Sequence, residues 1–175
     1  MIKIIGGKYK GRKLTQVPKT NVRPTQAVVR KSMFDILGPL NGFSVLDLYS
    51  GVGTLGIESI SRGAESLVSV EKDKFAYKAL NDNLNMICSS DNILTYNMDV
   101  DIFLRLNDRK FDLIIADPPY RDDAYEYINE KSKAILNPDG ILCIEMKKKE
   151  IKDESIRVRR FGRTQLTFWR NKIWK

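Results

Sequence analysis

Histidine is absent from this chain of 175 residues. That removes Ser-His-Asp and Cys-His nucleophilic schemes. Cysteine occurs only as Cys88 and Cys143, far apart in sequence. Two distant cysteines cannot complete a four-ligand zinc site, so no metal is expected. They read as free, core-packed thiols of a cytoplasmic protein. No run of ~20 apolar residues is present, so no membrane span is expected. The opening "MIKIIGGKYKGRKL" lacks the apolar stretch of a secretory signal. Any chemistry must therefore run on carboxylates, backbone groups, hydroxyls or a cofactor.

Acidic side chains are missing from residues 1–32, which carry nine Lys or Arg. Residues 33–145 hold ten basic and nineteen acidic side chains, and residues 146–175 hold eleven and three. An acidic middle is thus flanked by two basic ends, within a net charge of +8. If those ends share a face, they form a surface for a polyanion. Solubility is the plainer explanation of exposed lysines, but ends of one sign favour nucleic acid. The length predicts one compact domain. A basic extension of hairpin plus helix is expected over 1–40, packed on a core over 41–175.

Hydrophobic patterning places the elements. "IKIIGGKYKGRKLTQV" has short β-prone pieces around glycines and predicts a small hairpin. Thr25 can cap a helix over about 26–37, in which Val29, Met33, Phe34 and Leu37 form an apolar face. From residue 44 strands and helices alternate. "SVLDLY", "SLVSVE", "NILTYN", "FDLIIAD" and "ILCIEM" read as strands. "TLGIESISRG", "KFAYKALNDNLNMI", "VDIFLRL" and "DAYEYINEKSKAIL" read as helices. Phe75, Leu80, Leu84 and Ile87 are assigned to one apolar face. Asn137-Pro138-Asp139-Gly140 reads as a turn, and "SIRVRRF" with "QLTFWR" as an antiparallel pair. Repeated βα units imply an α/β fold with a mostly parallel sheet and helices on both faces. Ligands on such sheets sit at the carboxyl ends of the strands.

Those strand ends carry the candidate chemistry. "LDLYSGVGTLGIE" places Gly51, Gly53 and Gly56 in G-x-G-x-x-G spacing between strand and helix, allowing close backbone approach to a ligand. Alone this spacing fits a dinucleotide as well as any nucleoside. Asp47 sharpens it, because a carboxylate there can bind an ammonium directly or through water. Glu71 ends the next strand and can accept from ribose hydroxyls. Asp99 can accept from an adenine amine, or cap the helix that follows it. Together these residues describe a pocket for adenosine with a cationic amino-acid tail, which S-adenosylmethionine fits better than NAD.

The fourth strand ends in Asp117-Pro118-Pro119-Tyr120. Chance yields a given tetrapeptide about once in a thousand chains of this length. A purine amine is a poor nucleophile because its lone pair is delocalised. Asp117 can accept one of its N–H groups and the Pro118 carbonyl the other, aiming the lone pair at a methyl. Pro118 and Pro119 keep the loop rigid, and Tyr120 can stack on the base.

With "VLDLYSGVGTLGIE", "VSVEKD" and "DPPY" in this order, the chain resembles class I S-adenosylmethionine-dependent methyltransferases acting on exocyclic amines. "IIGGKYKGRKL", "RPTQAVVRKSMFDIL", "GIESISRGA" and "RRFGRTQLTFWR" extend the resemblance to the bacterial 16S ribosomal RNA guanine-N2 methyltransferases. It covers almost the whole length. The loop departs mildly, with Tyr49, Ser50, Val52 and Thr54 where the family often has Phe, Ala, Ser and Ala. The resemblance implies a Rossmann-like seven-stranded sheet and a cofactor site at Asp47, Tyr49, Ser50, Gly51, Gly53, Glu71, Lys72 and Asp99. It implies a catalytic loop over Asp117–Tyr120, with Arg23 to Thr25 near the cofactor or target. Lys8, Lys10, Arg12, Lys13, Arg23, Thr25 and Arg30 are the expected RNA contacts, joined by the C-terminal strands. The expected partner is ribosomal RNA within an assembled or assembling small subunit, and the expected state a monomer. Two alternatives stay open: an adenine-N6 DNA or RNA methyltransferase, and a non-catalytic nucleotide- or RNA-binding module.

Overall fold

The computed structural model describes residues 2–17, 27–119 and 124–170. Two short strands, β1 (Ile2–Lys3) and β2 (Lys13–Leu14), pair antiparallel at the start. Helix α1 (Ala27–Leu37) leads into the alternating region. There β3 (Ser44–Leu48), α2 (Thr54–Ser61), β4 (Ser66–Val70), α3 (Lys74–Ile87) and β5 (Asn92–Tyr96) follow one another. Next come α4 (Val100–Leu106), β6 (Phe111–Ala116), α5 (Ala124–Ala134) and β7 (Leu136–Lys147). The chain then forms β8 (Ile156–Phe161) and β9 (Thr164–Arg170).

Seven strands form one sheet in the order β5-β4-β3-β6-β7-β9-β8. The strands from β3 to β7 run parallel, and β9 inserts antiparallel between β7 and β8. This is the mostly parallel sheet expected. Alternating side chains build two cores. Val45, Leu67, Leu113 and Ile115 pack with α1, α2 and α3 on one face, together with Ile4 and Leu14 of the N-terminal arm. Leu46, Val68, Ile114 and Ile144 pack with Phe103 of α4 and Ile128 of α5 on the other. The chain leaves β3 outward through β4 to β5, then returns to the other side of β3 for β6. That reversal opens a crevice at the carboxyl ends of β3 and β6, where open α/β sheets bind ligands.

Two local expectations change. Asn137–Gly140 is not a free turn but lies inside β7, beside a register shift against β6 between Phe111 and Leu113. Asp139 there takes φ 67, so the chain bulges and resumes the strand. Asn137 Nδ2 holds the bulge by donating to Asp112 Oδ1 at 2.8 Å. Phe75 does not join the apolar face of α3, since it is 72% exposed while Ala76, Leu80, Leu84 and Ile87 are buried. It falls in the first turn, one position off the buried stripe.

Candidate active site

The crevice is built from loops whose backbone is fixed by their own sequence. After β3, Tyr49 (φ 60), Gly51 (φ 55) and Gly53 (φ 87) all take left-handed conformations. A Cβ on Gly53 would lie 2.6 Å from Leu80 Cδ1, so φ favours glycine there and any side chain would have to displace Leu80. Ser50 ties the turn to β4. Its N–H donates to the Val70 carbonyl at 3.0 Å, and its hydroxyl accepts from Val70 N–H at 3.1 Å. That hydroxyl also donates to the Asp47 carbonyl at 2.7 Å. Ser50 therefore shapes the loop from below, facing β4 rather than the crevice.

Asp47 is 1% exposed. Its Oδ2 accepts from Gly56 N–H at 2.9 Å, in the first turn of α2. The Asp47 side chain thus lies beneath the glycine loop, and direct contact with an ammonium is not what this position offers. Burial pushes its carboxyl up to about 7, opposed by the Gly56 hydrogen bond and reinforced by the nearby charges of Asp117 and Glu71.

Glu71, Lys72 and Asp99 gather at the ends of β4 and β5. Glu71 is half-buried, with Oε2 accepting from Gly51 N–H and Oε1 from Asp73 N–H, each at 2.7 Å. Burial raises its carboxyl despite those bonds. Each oxygen keeps a second lone pair for a ligand hydroxyl. Asp99 does cap α4, accepting from Asp101 N–H at 2.9 Å. Its other oxygen accepts from Lys72 Nζ at 2.8 Å, and that bond holds its carboxyl below the usual range. Lys72 and Asp99 therefore engage each other at the rim.

On the other side of the crevice β6 delivers Asp117, half-buried, followed by buried Pro118 and exposed Pro119. Asp117 N–H donates to the Leu48 carbonyl at 3.4 Å, which sets the Asp-Pro-Pro loop beside the glycine turn. Tyr120, Arg23 and Thr25 lie outside the described residues.

The N-terminal arm is arranged differently from expectation. Ile5 N–H donates to Glu58 Oε2 at 2.8 Å, and Lys8 N–H to the Ser61 carbonyl at 2.7 Å. Lys8 Nζ and the Tyr9 hydroxyl both donate to Asp91. Ser61 ends α2 and Asp91 precedes β5, so Lys8 and Lys10 sit at the amino ends of the strands. The five residues of β3 separate that end from the crevice by about 17 Å. Arg30 is 3% exposed, and its Nη2 donates to the Lys3 carbonyl at 2.8 Å. It ties α1 to the arm and is too deeply buried for an RNA contact. Arg12 and Lys13 are exposed on the stretch leading back towards the crevice.

One residue joins arm and glycine loop and was missed from sequence. Buried Asn83 accepts from Thr15 N–H at 2.8 Å and donates to the carbonyls of Thr15 at 3.0 Å and Val52 at 2.9 Å. An amide amid Leu80, Leu84 and Ile87 on an apolar helix face was the available signal.

Relatives place this geometry in context. The ribosomal RNA small subunit methyltransferase D of Escherichia coli K12 is 33% identical over 82% of this chain and 71% of its own length. The structure of yhhF from Escherichia coli, a candidate methyltransferase, superposes with TM-score 0.85 at 25% identity, covering 99% of both chains. A Thermus thermophilus 16S rRNA N2 G1207 methyltransferase, solved with AdoMet and guanosine, shares the fold with TM-score 0.70 at 23% identity over 89% of this chain and 45% of that one. With its family model matched across residues 2–170, the chain belongs to the family described as Conserved hypothetical protein 95.

Proposed function

We propose that this protein transfers a methyl group from S-adenosylmethionine to the exocyclic N2 amine of a guanine in small-subunit ribosomal RNA. It acts in the cytoplasm as a monomer and without a metal. The observation that carries this reading is the meeting of the Asp-Pro-Pro loop with the glycine loop at the crevice, fixed by the bond from Asp117 N–H to the Leu48 carbonyl. The name of the Escherichia coli relative points to small-subunit ribosomal RNA as the substrate.

The residues present fit the cofactor. Left-handed turns at Gly51 and Gly53 bring bare backbone to the crevice. Half-buried Glu71 has spare acceptor capacity beside them, and Asp47 beneath the loop supplies negative charge once a cationic ligand favours its ionised form. When bound, the cofactor supplies an electrophilic methyl on a sulfonium, whose departure requires no acid. Asp117 accepts one N–H of the target amine, and the Pro118 carbonyl accepts the other. Held this way, the nitrogen approaches tetrahedral geometry and its lone pair is freed for attack. The base is flipped out of the RNA to reach this pocket, and Tyr120 stacks on it. Asp47 stays beneath the loop, fixing the first turn of α2 and contributing its field.

Labelled methyl transfer to small ribosomal subunits tests the reading. Asp117→Ala is expected to lower kcat by about 10²–10³-fold, with cofactor affinity kept within twofold. Unchanged turnover would remove Asp117 from the chemistry. Label on adenine N6 of DNA or RNA would overturn the substrate.

A further inference from the structure

The notable cations of the crevice side come from the other end of the chain. β7 runs parallel to β6, with Ile144 opposite Ala116. Lys147 lies three residues beyond Ile144, about 10 Å further along the strand direction. Lys147 pairs with Thr164, Lys148 N–H donates to the Arg163 carbonyl at 2.9 Å, and Phe161 also pairs with Thr164. The β8–β9 turn therefore stands at the carboxyl end of the sheet, two strands from the Asp-Pro-Pro loop. Lys147, Lys148, Arg160 and Arg163 are all exposed there. No ion pair among the described residues engages any of them.

The neighbouring charges sharpen the patch. Lys149 is occupied, paired with Glu126 and lying over the Tyr125 ring. Two acids are near in sequence: Glu150 is exposed, and Glu145, two residues before Lys147, is buried in β7. Asp153 and Glu154 precede Ile156, which pairs with Trp169, itself opposite Leu142 low on β7. Those two carboxylates thus sit at the opposite end of the hairpin. Lys8 and Lys10 also lie at that amino end of the sheet.

We propose that Lys147, Lys148, Arg160 and Arg163 form a clamp for the RNA phosphate backbone flanking the methylated base. This rests on the ribosomal RNA reading and assigns its grip to the C-terminal hairpin turn. Four exposed cations with no ion pair among the described residues suit a polyanion, and the arginine forks suit phosphate oxygens. At about 10–15 Å from Asp117 across two strand spacings, the clamp reaches phosphates close to a flipped nucleotide. The tip of the N-terminal arm does not.

The test is binding of small ribosomal subunits by sedimentation across a salt series, with methyl transfer measured in parallel. The Lys148→Gln/Arg163→Gln double variant is expected to bind on the order of tenfold more weakly. Its plot of log affinity against log salt should be shallower by about 1.5, for two phosphate contacts at ~0.7–0.9 each. Cofactor affinity should stay within twofold. Arg109→Gln/Lys110→Gln removes the same charge from the loop before β6 and should leave both quantities unchanged. Unaltered binding in the first variant overturns the clamp, as does an equal loss in the control. Weaker binding with an unaltered salt slope also overturns it, because a contact to an acidic protein surface releases no condensed counterions. If the wild type binds subunits but transfers no methyl, the methylation reading fails while the same comparison still decides the clamp.

Discussion

Replacing Asp47 with Asn removes a carboxyl that the fold buries completely while keeping an oxygen to accept from Gly56 N–H. In the folded chain this carboxyl is raised from 3.8 to about 7, chiefly by burial. The folded state therefore keeps its proton across a window in which the unfolded chain has lost it. Stability from this group is present at low pH and declines as pH rises from about 4 towards 7. The slope is about 1.4 kcal/mol per pH unit inside the window, and the full span is on the order of 4 kcal/mol. Denaturant unfolding of the wild type and Asp47→Asn at pH 4.5, 5.5, 6.5 and 7.5 measures it. The stability of the wild type relative to the variant should fall steadily over that series. Adding S-adenosylmethionine should flatten the fall, because a cation favours the ionised carboxylate. A difference that stays constant within ~0.5 kcal/mol from pH 4.5 to 7.5 would refute the reasoning.

Other expectations follow from the packing. Gly7→Ala would set a Cβ 1.7 Å from the Ser61 carbonyl at a φ of 74, so it should cost about 3 kcal/mol in denaturant unfolding. Asn83→Ala strands Thr15 N–H and the Val52 carbonyl, and should cost about 1–3 kcal/mol. It should also weaken cofactor binding by calorimetry, since Val52 lies within the glycine loop. Asp73→Ala removes the cap that accepts from Phe75 and Ala76 N–H. It should lower the melting temperature by an amount matching ~1 kcal/mol, with kcat little changed.

Local chemistry explains what was legible in advance. Alternating βα patterning predicted the parallel sheet, because strands buried on both faces must be apolar throughout. Glycines between strand and helix marked the loop, since only a tight turn with left-handed residues demands them there. The bulge in β7 was hidden because Asn-Pro-Asp-Gly is turn chemistry, while its hydrogen bond to Asp112 depends on a distant strand. Phe75 was misassigned because helical spacing does not fix where the buried stripe begins. Arg30 was read as a surface cation because composition does not report burial.

The division between one dimension and three follows from the range of the interactions. Sequence alone determined the element types, the Asp-Pro-Pro loop at a strand end and the acceptors it offers, all set by neighbours within a few residues. Tertiary structure alone decided that Asp47 lies beneath its loop and that Asn83 bridges Thr15 to Val52. It also decided that Lys8 faces away from the crevice while Lys148 and Arg163 stand beside it. Those placements depend on sheet order and strand direction, which join residues far apart in the chain and leave no local mark.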